Sequence, residues 1–258
     1  LDYWAFLYYH NLPEMNRSLE LYRQSPRRGD VHYCLILGGT KPYGPDNPWA
    51  AQVEKVIREA GEPPYQRVAG DRPLLFVFLW GKQHTPAWLW GSAEKARAAM
   101  DGLRARFRAA GLNNPYLVAM SMQAKEAAEH CKQLGLDAIT AYTTFGGADY
   151  PGLAASNVAW WEQARQLSVP LVLPVSCGWG GPRPGGTPDK QPTAAQFMAH
   201  LRKAQEWVVA NSAAAPARAV LLYAWNEFDE GGFLCPTQGE RPGDRKIDWL
   251  RKATGTPE

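Results

Sequence analysis

Seven short runs of apolar, β-branched and aromatic residues recur along the chain, at 3–9, 32–37, 74–79, 116–121, 138–142, 171–175 and 220–225. Their hydrophobicity is nearly continuous rather than alternating, the pattern of parallel strands buried on both faces. Between them lie longer segments of helical periodicity, at 16–23, 48–60, 93–110, 124–134, 155–167 and 193–211. In 93–110, Ala96, Met100, Leu103 and Phe107 recur every three or four residues while Lys95, Arg97 and Arg104 fall elsewhere. Ser92 supplies an N-cap and Gly111 a stop. Gly61 and Gly135 stand at the corresponding place after their helices. Strand and helix alternating from end to end predict an α/β fold with right-handed crossovers. A barrel and an open sheet both satisfy that pattern. Seven β units, with the chain starting inside the first, suggest eight with one missing: a (β/α)8 TIM barrel, one domain over 1–258, incomplete at its N-terminus. Such a barrel would expose two sheet edges, and self-association through them is expected.

A length of 258 residues suits one such barrel, which needs about 250. With 45% hydrophobic and 21% charged residues the chain can bury a large core, which argues against disorder. The 28 basic and 25 acidic residues are spread along it, so no basic face for nucleic acid is expected. No apolar stretch approaches the roughly 18 residues that cross a bilayer, and the start shows no basic region followed by an apolar one. The compartment stays open, with a secreted or periplasmic place as the working expectation. Cys34, Cys131, Cys177 and Cys235 stand far apart, without zinc-ligand spacing. No metal or cofactor is expected, and three of the four fall in or beside apolar runs, where a Cys most often acts as a small buried hydrophobe. Eleven Trp and eleven Tyr exceed what a core can use while satisfying every N–H and O–H. Many are therefore expected to line a cleft, where flat rings suit the apolar faces of sugars.

The last strand runs into Ala224-Trp225-Asn226-Glu227-Phe228-Asp229-Glu230-Gly231-Gly232, three acidic residues and an Asn where a barrel strand opens into its functional loop. Two carboxylates at one sugar linkage can divide the work, one protonating the leaving oxygen and the other serving as base or nucleophile. Glu227 and Glu230 are the candidate pair, with Trp225, Asn226 and Asp229 beside them, and Gly231-Gly232 would let the loop turn sharply. Trp179 and Arg183 lie on the Gly/Pro-rich loop 178–192, where an indole can stack on a sugar and a guanidinium can hold a carboxylate or phosphate substituent. Tyr8, Tyr9 and His10 end the first run, Trp80 and His84 follow the third, and Ser121 and Tyr142 end later ones. Barrel position favours the cleft for these, although each also fits a rim or core place. His32, His130 and His200 lie at strand starts or on helices and read as structural. There is no G-x-S-x-G elbow for a serine hydrolase and no phosphate-binding glycine loop.

The run 224–232 resembles the Asn-Glu-Trp-x-Glu-Gly segment of glycoside hydrolase family 99, the endo-α-mannosidases, and of barrel relatives in bacterial polysaccharide loci. Cys177-Gly178-Trp179-Gly180-Gly181-Pro182-Arg183 resembles the family's Gly-Trp-Asp-x-x-Pro-Arg loop, and Asp2 to Tyr9 an early barrel strand. Taken in order, these cover most of the chain and place the first barrel strand before Leu1. The resemblance implies Glu230 as general acid/base on the glycosidic oxygen and Glu227 as base on the sugar 2-hydroxyl, which attacks its own anomeric carbon. Configuration would be retained through a 1,2-anhydro sugar, a neighbouring-group reaction that draws on proximity. The implied partner is an oligo- or polysaccharide. Phe228 replaces the family's Trp, Asp229 its His and Gly180 its Asp, so a linkage other than the family's own mannan is expected. Two alternatives stand beside hydrolysis: a glycosyltransferase of surface-polysaccharide assembly, and a non-catalytic carbohydrate-binding barrel.

Overall fold

The computed structural model describes residues 1–9, 13–38, 49–82, 84–180 and 189–255. The strands are β1 (Tyr3–Tyr8), β2 (His32–Leu37), β3 (Arg67–Val68), β4 (Arg72–Phe78), β5 (Tyr116–Met120), β6 (Ala138–Thr140), β7 (Leu173–Ser176), β8 (Val220–Tyr223), β9 (Asn226–Glu227) and β10 (Gly232–Phe233). The helices are α1 (Arg17–Gln24), α2 (Trp49–Ala60), α3 (Pro86–Trp90), α4 (Ala93–Ala109), α5 (Ala124–Leu134), α6 (Tyr150–Gln166), α7 (Ala194–Ala210) and α8 (Lys246–Thr254). All seven expected strands are present. The chain forms two compact units, Leu1–Ser121 with Lys125–Ile139, and Met122–Ala124 with Thr140–Glu258.

In the first unit the sheet order is β1-β2-β4-β5-β6, with the short β3 antiparallel on β4. The pairs β1 with β2, β2 with β4 and β4 with β5 are parallel, Leu35 standing opposite Leu75 and Leu74 opposite Tyr116. Leu35, Leu74, Leu75, Phe76, Leu117 and Val118 are inaccessible to solvent, which is why their runs show no polar alternation. Burial of each such side chain contributes about 1.5–3 kcal/mol. The stripe expected on α4 is the one it buries, Ala96, Met100, Leu103 and Phe107. Ser92 Oγ accepts from Lys95 N at 3.2 Å, as the N-cap reading required. At the strand starts, Asp137 accepts from Arg72 Nη2 (2.6 Å), Arg104 Nη2 (2.8 Å) and Leu117 N (2.9 Å). That network ties β4, β5 and β6 at the end of a parallel sheet where stability rather than chemistry is built.

The second unit holds the parallel pair β7–β8, with Ser176 opposite Tyr223, and the antiparallel hairpin β9–β10. Several boundaries differ from expectation. Helix α6 begins at Tyr150 rather than 155, because Asp149 Oδ1 accepts from Gly152 N at 2.9 Å and Pro151 pre-sets the first turn. Strand β7 starts at Leu173, two residues late. Unanticipated α3 is delimited by the Thr85 cap, Pro86 and left-handed Gly91. Gly111 and Gly135 take the left-handed conformation, but Gly61 follows α2 without it, so the expected C′ role fails there. Strands β1 and β8 are half-buried over most of their lengths instead of buried on both faces; each ends its sheet order. Cys34, Cys131 and Cys177 are buried thiols and Cys235 is half-buried. Among the described residues, no helix is long and apolar enough to cross a membrane.

Candidate active site

The acidic run of the second unit is shaped by the hairpin into which β8 leads. After Tyr223 the chain passes a cis peptide to Ala224. The Trp225 carbonyl then accepts from Leu234 N (3.1 Å) and Cys235 N (2.8 Å), and Glu227 pairs with Gly232 across β9–β10. Between the strands, Phe228–Glu230 form one 3₁₀ turn, so Glu227 and Glu230 sit at its two ends. Gly231 closes it with φ 70°, and a Cβ there would lie 1.6 Å from the Gly180 carbonyl oxygen. Only glycine serves at that turn and that approach. Gln191 Nε2 donates to Gly231 O at 2.8 Å, and Lys246 Nζ of α8 donates to Gln191 Oε1. The turn is thereby anchored by main chain and side chains together.

Two tyrosines meet the two glutamates. The Tyr142 hydroxyl, just beyond β6, donates to Glu227 Oε1 at 2.9 Å, and the Tyr223 hydroxyl donates to Glu230 Oε2. The two phenol rings are in edge-to-face contact, centroids 4.9 Å apart at 65°. Both carboxylates are half-buried. Burial first, then the bond to Glu230, pushes the Tyr223 phenol far above its ordinary range. It therefore remains an O–H donor at any physiological pH. The ring fits because Gly232 has no side chain: a Cβ there would lie 2.2 Å from Tyr223 Cε1.

A buried polar network holds this cluster from behind. Asn157 of α6 is inaccessible; its Oδ1 accepts from Ser176 N (2.7 Å), and its Nδ2 donates to Ser176 Oγ (3.2 Å) and to Thr144 Oγ1. Thr143 Oγ1 lies 2.9 Å from Ser176 Oγ. The Tyr150 hydroxyl donates to Ser176 O (3.1 Å) and stands 3.1 Å from His200 Nδ1. Burial lowers the His200 pKa to about 4, so this imidazole is neutral. One amide side chain thus ties the end of β7, which leads to Trp179, to the segment that carries Tyr142. Trp179 is half-buried, with its indole 5.9 Å from Tyr223 and 4.7 Å from the exposed Phe145 ring.

In fold the chain is similar to the endo-α-mannosidase of glycoside hydrolase family 99 from Bacteroides thetaiotaomicron. The TM-score is 0.65 at 15% identity, over 98% of this chain and 73% of that one. Against the same enzyme in complex with bis-tris-propane it is 0.62 at 15% identity, over 98% and 77%. The fold is of the (β/α)8-barrel class. At 15% identity the likeness is one of fold. The sequence itself matches no family model and no curated protein.

Of the residues the sequence nominated, Glu227, Glu230, Tyr142 and Trp179 are joined through Tyr223. Trp225 is half-buried beside them, while Asn226 and Asp229 are exposed on the hairpin and its turn. Tyr8, Tyr9 and Trp80 belong to the other compact unit. There the Tyr8 ring is buried with Lys55 Nζ 4.8 Å from its centroid, and Tyr9 exchanges two hydrogen bonds with Asn16. Trp80 is exposed, its carbonyl 3.0 Å from His84 Nδ1. His10 and Arg183 lie outside the described residues. Among those described, no group of three or more His, Cys, Asp or Glu is arranged to hold a metal ion. Sequence reasoning passed over Tyr223, Phe145 and Asn157. Tyr223 carried a usable signal, an aromatic hydroxyl at the end of the strand feeding the acidic run; Asn157 carried none, lying inside a helical pattern.

Proposed function

We propose that this protein is a glycoside hydrolase acting as one catalytic domain on an oligo- or polysaccharide, with Glu230 and Glu227 as its working carboxylates. The observation that carries the reading is the pair of glutamates bracketing one fixed turn, each bound by a tyrosine hydroxyl. The barrel fold shared with an endo-α-mannosidase supports it. In the first step Glu230 gives its proton to the departing glycosidic oxygen, while Glu227 takes the proton of the 2-hydroxyl as that oxygen closes on the anomeric carbon. The C1–O bond to the leaving group breaks and a 1,2-anhydro sugar forms. In the second step Glu230 removes a proton from water attacking C1, and Glu227 returns its proton to O2. Configuration is retained and both carboxyls are restored. The turn's contribution is proximity: two groups are held ready at one linkage. Trp179, Trp225, Asn226, Asp229 and Tyr142, all of the second unit, are assigned to substrate contacts.

The test is reducing-end release from α-mannans and bacterial polysaccharides by the parent chain, Glu230→Gln and Glu227→Gln. Each substitution is expected to lower the rate by about 10²–10⁴-fold with the unfolding midpoint unchanged. Release that needs an activated sugar donor would indicate a transferase. Binding without turnover by the parent would indicate a lectin-like barrel, and full activity in either variant would remove that residue from the mechanism.

A further inference from the structure

Phe145 belongs to none of the roles given above. It lies three residues beyond Tyr142 with 43% of its surface exposed, an unfavourable place for a phenylalanine unless something covers its ring. Its backbone is nevertheless held firmly. Lys190 is buried, and its Nζ donates to the carbonyls of Phe145 (2.8 Å) and Gly146 (3.3 Å). The main-chain N–H of the same lysine donates to Trp179 O at 2.8 Å. One residue thus fixes both segments that carry the neighbouring Phe145 and Trp179 rings. Beneath them, the Asn157 network holds Thr144 and Ser176.

From Phe145 the rings continue in unbroken contact: Trp179 at 4.7 Å, Tyr223 at 5.9 Å from Trp179, and Tyr142 at 4.9 Å from Tyr223. The two tyrosines at the end of that row bind Glu230 and Glu227. An exposed apolar ring, braced from within and continuous with the carboxylate site, suits the apolar face of a neutral sugar. We infer that Phe145, with Trp179, forms a binding subsite for an uncharged sugar residue of the same glycan, next to the residue whose linkage is cleaved. This rests on the glycan-active reading of the site and adds to it where a neighbouring, uncharged residue of that glycan is held.

Affinity electrophoresis through gels containing α-mannan, dextran or galactomannan tests the inference without turnover. The proteins are Glu230→Gln alone and combined with Phe145→Ala or Phe145→Trp, all checked for the same unfolding midpoint. Retardation of the Glu230→Gln chain by at least one polysaccharide is expected. Phe145→Ala should weaken it about tenfold, as truncating one stacking anchor does, and Phe145→Trp should restore it. Equal retardation of the Phe145→Ala protein, or none of any protein in any gel, overturns the subsite. Reducing-end release by the parent is read separately. Release without Phe145-dependent binding sinks the subsite and leaves the hydrolase, whereas Phe145-dependent binding without release does the reverse.

Discussion

Replacing Gly232 by alanine tests the internal logic of the site with a single carbon atom. That carbon would lie 2.2, 2.7 and 3.0 Å from Cε1, Cδ1 and Cζ of Tyr223. Carbon atoms in good contact sit about 3.5–4.0 Å apart, so the shortest of these approaches must lengthen by about 1.3–1.8 Å through retreat of the ring or the hairpin. The ring has little room to do so, since it is 3% exposed and abuts Tyr142 and Trp179. Gly232 itself does not have left-handed φ, so the cost is steric crowding rather than backbone strain. Overpacking of this kind costs about 1–3 kcal/mol. In urea, with m about 3 kcal/mol/M, a loss of about 2 kcal/mol lowers the midpoint by about 0.7 M. The displaced phenol also leaves Glu230, so hydrolysis should fall with stability. Tyr223→Phe separates the two effects, since it keeps the ring and removes only the donor; its main effect is expected on kcat. A Gly232→Ala protein within about 0.5 kcal/mol of the parent and equally active would show that the Tyr223–Gly232 fit is not a constraint, and the account of the site would fail with it.

Gly102, inside α4 with no atom within 4 Å of a would-be Cβ, is the opposite case: Gly102→Ala should gain about 0.5–1 kcal/mol in the same titration. Asn157→Ala strands the Ser176 N–H and removes two further hydrogen bonds, so a loss of about 2–4 kcal/mol is expected, and a loss below 1 would contradict the network's role. His200 carries a pH signature. Its folded pKa is about 4 against an ordinary 6.5, so the unfolded chain takes up the proton first as pH falls. The stability is whole above about 6.5 and is lost toward pH 4, by about 3 kcal/mol in total. Unfolding midpoints measured between pH 7 and 4.5 should fall less steeply in His200→Gln; parallel profiles would assign the acid sensitivity to other groups.

The strands were legible because each is a dense apolar run; for β2, β4 and β5 burial on both faces of a parallel sheet allows little else, whereas β1 and β8 keep the apolar run while only half-buried. Helix α4 was legible because its apolar spacing, Ser92 cap and Gly111 stop agree. The start of α6 was missed although Asp149 and Pro151 marked it, because the apolar rhythm strengthens only later. The acidic run stood out as composition at a strand end. Its partners did not, since Tyr142 and Tyr223 lie 85 and 4 residues before Glu227, and no local pattern says that their hydroxyls converge on the pair.

Sequence by itself therefore determined the alternation of strand and helix, the apolar core and the position of the carboxylates at the end of β8, all consequences of periodicity and local chemistry. Tertiary structure alone decided which hydroxyl meets which carboxylate, why Gly231 and Gly232 must lack side chains, and that Asn157 and Lys190 brace the aromatic row. The reason is physical: several of those contacts join residues tens of positions apart, such as Tyr142 with Glu227 and Lys190 with Phe145. The nearer pairs, Tyr223 with Glu230 and with Gly232, meet only because the hairpin folds back on the end of β8. Their distances are set by how the segments that follow β6, β7 and β8 come together within the second unit, a quantity that no window of neighbouring residues contains.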